Sequence, residues 1–537
     1  MSSTPYSLYI EFPRLSAHWD QPGWPFGVVV AAGFQAAELC LRLVEEALAD
    51  ARPEAFAERR LRRYVALLAD GLALERELIA AEPADPPEPF LDRSAGPAEA
   101  GAGLPTGFAA LDRLDPAALE RVARAFGTPA HYRIGVEEHL AAACGRHGVA
   151  GPVIDASRPR LRYRSVVRPD VVRAPRAVPP SGPEDHLFRI AHQITECWLR
   201  VARHYHDDAA RLAGEGRWEP AAARAESAAR AIDLASAAGQ LLELMNLADY
   251  HPLSVRLRDA SGAQSPAAQR LALLSRDLIR PLVAALARQG RSPADLLDRP
   301  GTALAEFRYL HAVQAVAKSC QAFFFMHYLL VTNVHGAHGA GTLGYAIRGI
   351  GERAIRPPMP DLDLERHQLS MIMHLRHAAE EGVDILRAET GDGPAADPDP
   401  DAVPCPPETI RAAVEAYFAS VSDADAEAWA GLFAADGQFR LLPATRPYRG
   451  RGHLTTGFRS FAALFPKIRA SYSELSIDGA GAAVRWEFDA VSFLGSPVRF
   501  GGTERFRFGP DGLIASATAE WDARAVADQV WADRKRP

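Results

Sequence analysis

The chain has 537 residues, 48% of them hydrophobic, and its formal net charge at pH 7 is −7. A chain of this length needs more than one hydrophobic core, so two to four domains are expected. The acidic balance and the absence of a long basic run argue against a protein that binds nucleic acid non-specifically.

Cysteine usage and hydropathy indicate the compartment. The five cysteines are scattered, with no CxxC pair, which is typical of a reducing cytosol and argues against a cysteine-rich zinc site. The stretch at 1–16 has no basic segment followed by an apolar one, so we expect no signal peptide. No uninterrupted apolar segment of about 18 residues occurs, so we expect no membrane partner and a cytoplasmic location.

Residues 1–165 are predicted to form an N-terminal helical region. Apolar residues recur at helical spacing over 27–51 and over 53–80, which predicts two long helices. A stretch rich in Pro, Gly and Ala at 82–107 predicts a loop, and two shorter helices are expected after it. These shorter helices are predicted at 115–126 and 134–147.

A linker rich in Pro and Arg at 168–183 precedes a second helical domain, which is expected over 184–390. This domain opens with a long amphipathic helix at 186–213, and a second long helix is predicted at 219–247. The first of them aligns with an earlier segment of the chain, because 191–208 matches 33–50.

The match indicates a degenerate helical duplication, in which Phe34 stands where the second copy has His192. The aligned polar pairs are Gln35 with Gln193 and Glu38 with Glu196.

The stretch at 319–342 joins an aromatic-rich segment to a glycine-rich one. Residues 320–331 are almost continuously apolar without Pro or Gly, which predicts a buried helix with His327 in its middle. A lone His on an apolar helix is more often a core residue that hydrogen-bonds a neighbour. The alternative is an axial haem ligand, a neutral imidazole on a rigid helix among aromatic side chains. The stretch by itself leaves both interpretations open.

An acidic, Pro-rich linker at 390–407 ends the helical part of the chain. After it, 409–433 predicts helices, and five segments that alternate with period two predict strands. Asp-Gly pairs at 478–479 and 511–512 are typical of turns between strands. A separate α+β domain is therefore expected over 407–530.

Three blocks of the second helical domain resemble the haem-dependent tryptophan 2,3-dioxygenase and indoleamine 2,3-dioxygenase superfamily. The first is FRIAHQITECW at 188–198, similar to a Phe-x-x-x-His-Gln-x-x-Glu-Leu-Trp helix. The second is MNLADY at 245–250 with SGAQS at 261–265. The third is the helix of His327 followed by GTLG at 341–344. The resemblance covers roughly residues 185 to 390.

The resemblance implies one non-covalent haem b and a defined set of roles. His327 would be the axial ligand of the haem iron, with His311 as the second choice because Phe307-Arg308-Tyr309 before it also resembles the ligand block. His192 would be the distal catalytic residue, near the face of the haem left for O₂. Further residues that would bind the aromatic substrate are Phe188, Ser261, Gly262 and Thr342.

The sequence departs from this family at the substrate carboxylate. Tryptophan-specific members place an Arg seven residues before the Ser-Gly pair, where a bidentate fork suits a carboxylate. Here Ser254 stands in that place, with Arg256 and Arg258 nearby but out of register. The departure predicts an indole-like substrate without that carboxylate, and Ser254 and Arg256 remain candidate substrate-binding residues.

The C-terminal domain resembles the SnoaL-like, or NTF2-like, cone-shaped α+β fold. The resemblance rests on DAEAWAGLFAAD at 425–436 and on Tyr448-Arg-Gly450. Domains of this kind hold a pocket between a curved sheet and helices, and we expect a binding or assembly role more than catalysis. The polar candidates are Asp436, His453, Glu487 and Glu520.

The sequence thus predicts a mainly α fold: a helical haem-dioxygenase-like core with a degenerate duplication at its N-terminus, followed by a SnoaL-like domain. The predicted function is a haem-dependent oxygenase that uses O₂ on an indole-like aromatic, by ring-cleaving dioxygenation at C2–C3 or by monooxygenation. We expect it in tryptophan-derived or secondary metabolism and as a homo-oligomer. Two alternatives remain: a haem-free protein for small-ligand binding or assembly, and an isomerase or cyclase centred on the C-terminal domain.

Overall fold

The computed structural model divides the chain into two compact units, Met1–Pro360 and Asp361–Pro537. Each is described by itself. The residues that the structure describes are 4–17, 19, 27–50, 54–80, 91–92, 106–126, 133, 137–173, 182–245, 253, 257, 260–298, 301, 303–335, 351–352, 354–355, 359, 370, 405–442, 447–493, 495–522, 525–526 and 529–530.

The first unit is built from helices. They are α1 (Pro5–Tyr9), α2 (Phe12–Ser16), α3 (Gly27–Ala49), α4 (Glu54–Ala80), α5 (Pro116–Phe126), α6 (Glu137–Arg146), α7 (Tyr163–Val167), α8 (Pro169–Val172), α9 (Pro183–Gly214), α10 (Trp218–Gln240), α11 (Pro266–Arg288), α12 (Pro293–Asp298) and α13 (Leu304–His335). Short 3₁₀ helices lie at Thr106–Arg113, Leu241–Leu244 and Gly262–Gln264, and β1 (Leu91–Asp92) pairs with β2 (Arg160–Leu161).

Two antiparallel helix pairs form the centre of the first unit. The pair α3–α4 and the pair α9–α10 pack on each other mainly through α3 and α9. Helix α9 begins with Pro183 in its first turn and two acidic residues, which suit the exposed N–H groups there. Helix α10 buries a face made largely of alanines, so α9 and α13 can both pack closely against it. No described helix is long and apolar enough to cross a membrane.

The two long helices make matching hydrogen bonds at the aligned polar residues. The Tyr163 hydroxyl donates to Glu38 at 2.6 Å, and the Tyr6 hydroxyl donates to Glu196 at 3.0 Å. Tyr163 begins the short helix α7, which docks on α3, and Tyr6 lies within the short helix α1, which bonds to α9.

The aligned glutamines repeat this pattern. Gln193 donates its side-chain amide to the Ile10 carbonyl at 2.7 Å, and Gln35 donates to the Val167 carbonyl at 3.4 Å. Both carbonyls lie four residues after the bonded tyrosine. The chain therefore contains two equivalent arrangements, each assembled from segments far apart in sequence.

In the first copy, Phe34 is buried in the position that aligns with His192. The residue before it, Gly33, packs closely against the Glu75 side chain. A Cβ built on Gly33 would lie 1.6 Å from Glu75 Oε1, and Glu75 is fully buried. Neither Glu75 oxygen has a hydrogen-bond partner among the described residues, and burial raises the pKa of this carboxyl well above its ordinary value.

We expect Gly33→Ala to lower the free energy of unfolding by about 1–3 kcal/mol, since overpacking a filled site costs that much. The matched control is Gly239→Ala on α10, where an added Cβ would meet nothing within 4 Å. That change should leave stability equal or raise it by up to about 1 kcal/mol. Urea denaturation measures both, and equal effects of the two substitutions would contradict the packing described here.

The second unit is an α+β domain. Its helices are α14 (Pro407–Ser422), α15 (Ala426–Gly431) and α16 (Gly450–Leu464), and its strands are β3 (Phe433–Leu442), β4 (Tyr448–Arg449), β5 (Lys467–Asp478), β6 (Gly481–Val491), β7 (Pro497–Phe508) and β8 (Ile514–Trp521). The six strands form one mixed sheet in the order β4-β3-β8-β7-β6-β5, in which β3 and β8 run parallel.

Burial alternates along the long strands of this sheet. On β6 and β7 every second residue is buried beneath the helices, and the residues between them are mostly exposed. The inward positions of β6 include Val484, Trp486 and Phe488, and those of β7 include Phe500 and Glu504. One face of the sheet therefore forms the core with α14 and α16, and the other face is polar.

Candidate functional site

Helix α9 places Phe188 and His192 one turn apart on the same face. Their rings are 4.2 Å apart between centroids. His192 Nδ1 lies 2.7 Å from the Phe188 carbonyl oxygen. Because a carbonyl can only accept, Nδ1 must carry the proton of the neutral ring. Nε2 is then an unprotonated acceptor.

The structure brings His192 and His327 together at Gly262. A Cβ built on Gly262 would lie 3.3 Å from His192 Nε2 and 3.9 Å from His327 Cε1. The two imidazoles come from α9 and α13, which are far apart in sequence. A side chain at position 262 would come between them, so this position suits glycine.

Hydrogen bonds fix the segment that carries Gly262. The Tyr6 backbone N–H donates to Gln264 Oε1 at 3.0 Å. Ser265 Oγ accepts from the Ala268 N–H at 3.1 Å and so caps α11. The Tyr6 hydroxyl also bonds Glu196, one turn beyond His192, and its ring meets the His192 ring edge-on at 5.6 Å.

One wall beside Phe188 is apolar. Leu253 and Leu257 are buried, and Tyr9, Phe188 and Met245 pack against them. The Tyr9 and Phe188 rings meet edge-on at 6.0 Å. Such a wall suits an aromatic ring and keeps water away from it.

Tyr9 is held from its polar end. Its hydroxyl donates to Asp185, and the Arg189 guanidinium lies over its ring, 4.4 Å from the centroid. Burial, and then the bond to Asp185, raise the pKa of Tyr9. The hydroxyl therefore stays protonated, and it bonds a carboxylate of α9.

Both histidines are neutral at physiological pH. Burial lowers the pKa of His192 to about 4, outweighing the hydrogen bond to Phe188 that favours the charged form, and His327 lowers it further. Burial also lowers the pKa of His327. A neutral imidazole is the form that binds iron.

The structure places some of the other predicted site residues near Gly262 and others elsewhere. Ser261 and Gly262 lie in the segment just described. His311 is exposed on α13, where its ring meets Phe307 at 4.4 Å, and it is not one of the groups around Gly262. The residues that lie outside the described part of the chain are Ser254, Arg256, Arg258 and Thr342.

The prediction that 320–331 is a buried helix is right about the helix and wrong about its burial. The segment belongs to α13, which runs on from Leu304 to His335. Cys320 is buried, but Phe325 is 46% exposed and Leu329 is 36% exposed. An apolar run places residues all round a helix, and only one face of α13 packs on α10 here.

A neutral imidazole is a group that could hold a haem iron, and His192 and His327 are two such groups beside Gly262. The described residues contain no cluster of three His, Cys, Asp or Glu side chains that could hold a bare metal ion.

Tyr6 and Tyr9 are site residues that the sequence analysis missed. They sit in the N-terminal stretch, about 180 residues from the helix that they contact, and local patterns carry no information on such distant contacts. The spacing of three residues between the two tyrosines was the available signal, since it places both on one face of a helical turn.

The C-terminal domain has a buried acid of its own. The Tyr417 hydroxyl on α14 donates to Glu504 Oε1 on β7 at 2.7 Å. Glu504 is paired across the sheet with Val484 and Ala519. Burial raises the pKa of Glu504 to about 8, although the bond from Tyr417 lowers it. The Glu504 carboxyl is therefore protonated at pH 7.

The four polar candidates chosen from the sequence all lie on the surface. Asp436, His453, Glu487 and Glu520 are exposed. On β6, Glu487 faces outward and forms an ion pair with Arg499 at 3.1 Å. Glu504 was overlooked among the charges of TERFRF, although strand alternation with Phe506 and Phe508 places it inward.

Comparisons with known proteins bear on this second unit. Residues 414–517 match the family described as the SnoaL-like domain. These residues form a SnoaL-like domain. No curated protein sequence matches the chain.

Three solved structures are similar to part of the chain. The epoxide hydrolase/cyclase-like enzyme SalBIII, from pyran ring formation in salinomycin, is 20% identical, with 21% of this chain and 91% of that chain covered and a TM-score of 0.19. A ketosteroid isomerase-like protein from Catenulispora acidiphila is 18% identical, with 22% and 91% covered and a TM-score of 0.21. A putative ketosteroid isomerase from Kribbella flavida is 23% identical, with 21% and 78% covered and a TM-score of 0.18.

Proposed function

We propose that the first unit is a haem-dependent oxygenase that acts on a neutral, indole-like aromatic and uses O₂. The observation that carries the proposal is the meeting of His192 and His327 at Gly262. Two neutral imidazoles from separate helices, with an apolar aromatic wall beside one of them, suit this chemistry better than a haem-free scaffold. The resemblance of residues 185 to 390 to haem dioxygenases points the same way.

The two histidines have different tasks in this proposal. His327 would hold the haem iron, because its neutral ring lies on the long helix α13, where the resemblance implies the ligand. Haem, when bound, would supply the reaction with O₂. His192 would not bind iron. Its unprotonated Nε2 can accept the N–H of an indole-like ring, while Phe188 packs against that ring.

The segments around the site position these groups and exclude water. Gln264 holds α1 through Tyr6, and Glu196 holds the same tyrosine from α9. Leu253 and Leu257 pack against Phe188 and hold its ring in place. Since the imidazoles are set by packing before substrate arrives, little reorganisation is needed during turnover.

We expect L-tryptophan to be a poorer substrate than indole, 3-methylindole or a tryptophan ester. Ser254 stands where a carboxylate-binding Arg is expected, and a hydroxyl cannot neutralise a carboxylate. Burying that charge unpaired would cost several kcal/mol, and even about 3 kcal/mol is roughly a hundredfold in affinity. Steady-state kinetics on the haem-loaded protein compare kcat/KM for the four compounds.

The matched variants for this prediction are Arg256→Ala and Arg258→Ala. If L-tryptophan is turned over fastest, and either variant removes that preference, a shifted arginine binds the carboxylate and the prediction from Ser254 is wrong.

A second candidate function belongs to the SnoaL-like domain: binding of a neutral small molecule, with proton transfer to or from it. The observation that favours it is the buried pair of Tyr417 and protonated Glu504. The Tyr417 proton is used in its bond to Glu504, so protonated Glu504 is the group that can donate to a ligand oxygen, and a carboxylic acid kept neutral in an apolar site is a known device for that purpose. Small-molecule binding and isomerase or cyclase activity are common in this family, so the pair is a reasonable site.

The protonation of Glu504 predicts a pH-dependent stability. Its folded pKa of about 8 lies above its ordinary value of 4.5, so the folded state holds the proton more tightly. The stability that this group contributes is fully present below about pH 4.5. Between about pH 4.5 and about pH 8 the free energy of unfolding falls by about 1.4 kcal/mol for each pH unit. We expect Glu504→Gln to raise the melting temperature at pH 8 and to have little effect at pH 5.

The matched control is Glu487→Gln, at an exposed position on the neighbouring strand. It should change the melting temperature little at either pH. If Glu504→Gln and Glu487→Gln have the same pH dependence, Glu504 is ionised in the folded domain and cannot donate to a ligand.

A further inference from the structure

Two short segments of the same design dock on the two central long helices. The N-terminal strap is α1 with α2, residues 5–16, and it bonds to α9. The second strap is α7 with α8, residues 163–172, and it bonds to α3. Between the two helices of each strap one residue is left-handed: Glu11 has φ 55° and Arg168 has φ 52°. A side chain is strained in this region, so each strap has a turn at which it can hinge.

The N-terminal strap forms one side of the candidate site. The Tyr6 ring meets the His192 ring edge-on at 5.6 Å, and the Tyr9 ring meets the Phe188 ring edge-on at 6.0 Å. Both contacts come from α1. Displacement of this one short helix would therefore remove two aromatic walls at once and open His192 and Phe188 to a ligand.

The second strap is docked on an ion pair. The Tyr163 hydroxyl donates to Glu38 at 2.6 Å, and Arg173 pairs with the same carboxylate. Arg173 also pairs with Glu45 at 2.7 Å. Because a guanidinium keeps its charge throughout the physiological pH range, the buried Glu38 carboxylate always has a counter-ion.

Glu196, the matching acid under the N-terminal strap, is buried and has no cation as a partner among the described residues. The Tyr6 hydroxyl donates to it at 3.0 Å, and the Ser265 hydroxyl bonds it as well. The titratable and hydroxyl groups around it are Tyr6 on α1, Ser265 at the start of α11, Cys40 on α3, and Cys197 and His192 on α9 itself. A buried carboxylate with neutral partners alone is costly.

Docking of the N-terminal strap is therefore linked to a proton. Burial raises the pKa of Glu196 above its ordinary value of 4.5, and the bonds from Ser265 and Tyr6 offset only part of this. When α1 leaves, water reaches the carboxyl and its pKa returns towards the ordinary value. The docked strap thus holds the proton more tightly, so docking is most stable below about pH 4.5 and weakens as pH rises through the raised pKa.

We propose that α1 is a movable strap over His192 and Phe188, hinged at Glu11, which opens more often when Glu196 is ionised. The open form is a minor population, because Tyr6 and the residues after it are buried when the strap is closed. The second strap stays closed over the same pH range. This inference goes beyond the proposed function, since it concerns the chain's own conformation and needs no haem.

The test measures amide hydrogen exchange of the full-length protein from pH 5 to pH 8, with each rate corrected for intrinsic exchange at that pH. The Leu8 and Ile10 amides, bonded within the N-terminal strap, report on its opening, and the Val166 and Arg168 amides report on the second strap. We expect protection of the first pair to fall as pH rises, by up to about tenfold per pH unit because one proton is involved. Protection of the second pair should stay constant.

Three variants identify the group responsible. Glu196→Gln keeps an oxygen for the Tyr6 hydroxyl and cannot ionise, so it should make the protection of α1 independent of pH. The matched control, Glu38→Gln, should leave the pH dependence of α1 as it is. Tyr6→Phe keeps the ring and removes one hydrogen bond, so it should lower the protection of α1 about fivefold and leave the second strap unchanged.

Modification by diethyl pyrocarbonate, which reacts with neutral imidazoles, connects the strap to the site. At pH 8 the modification of His192, followed by mass spectrometry, should be slower in Glu196→Gln than in the unaltered protein. Glu38→Gln should react at the rate of the unaltered protein.

Other outcomes overturn the inference. Equal pH dependence of the two straps would do so, and so would a pH dependence of α1 that persists in Glu196→Gln. If His192 is modified equally fast in Glu196→Gln and in the unaltered protein, the strap does not control access and the inference is wrong. These measurements do not involve haem binding, so their failure leaves the proposed function standing.

Discussion

His327→Ala is expected to lose almost all bound haem while its far-ultraviolet circular dichroism stays close to that of the unaltered protein and its melting temperature matches that of the haem-free unaltered protein. His327 lies beside Gly262, opposite His192, and the lowered pKa keeps its ring in the neutral form that binds iron. His192 lies beside the same glycine, and its Nδ1 proton on the Phe188 carbonyl would also suit a ligand through Nε2, so this variant and His192→Ala together decide which histidine holds the iron. The haem content after reconstitution and gel filtration, read from the absorption spectrum, measures the effect.

The matched control is His311→Ala on the same helix. His311 is exposed and packs on Phe307, so this variant should retain haem at the level of the unaltered protein. If haem is lost in His311→Ala and retained in His327→Ala, the ligand has been assigned to the wrong histidine of α13.

His192→Ala should behave in the opposite way: it should retain haem and lose turnover by at least about tenfold. The loss follows from removing the Nε2 acceptor that orients the substrate, because a misplaced substrate reacts more slowly. His192→Gln restores a side-chain acceptor and should recover part of the rate. Turnover is measured as consumption of indole under O₂ at equal haem content.

The pH dependence of turnover by the unaltered protein also tests the role of His192. Since burial lowers the pKa of His192 to about 4, its ring stays an acceptor from pH 8 down to about pH 5, and the rate of the unaltered protein should not fall near pH 6.5 on its account. Loss of haem in His192→Ala, with an unaltered rate once haem is restored, would make His192 a structural residue.

The long elements of the fold could be predicted from the sequence because their local signals are strong. The helices predicted at 27–51 and 53–80 are observed as Gly27–Ala49 and Glu54–Ala80, and the Asp-Gly turns have Gly479 and Gly512 at φ 57° and 78°. The helix predicted over 219–247 ends at Gln240 and continues as a 3₁₀ turn, since end positions depend on tertiary contacts. Helix α16 was not predicted.

The site was only partly predictable. The blocks around His192 and Gly262 could be found by resemblance, but the hydrogen bonds of Tyr6 span 190 and 258 residues and leave no local pattern. Glu504 could have been found by counting alternate residues along β7. The choice of exposed Glu487 and Glu520 instead shows that a charged residue type alone is a weak guide to a buried site.

The absorption spectrum of the full-length protein, purified after growth with ample haem supply, tests the central claim most directly. The account predicts a Soret band with about one haem per chain, which shifts on reduction with dithionite and again on addition of CO, and which is lost on denaturation because the haem is not covalently bound. A well-folded protein that shows no Soret band, and that gains none on titration with haem, would contradict the account and leave the SnoaL-like domain as the functional centre of the chain.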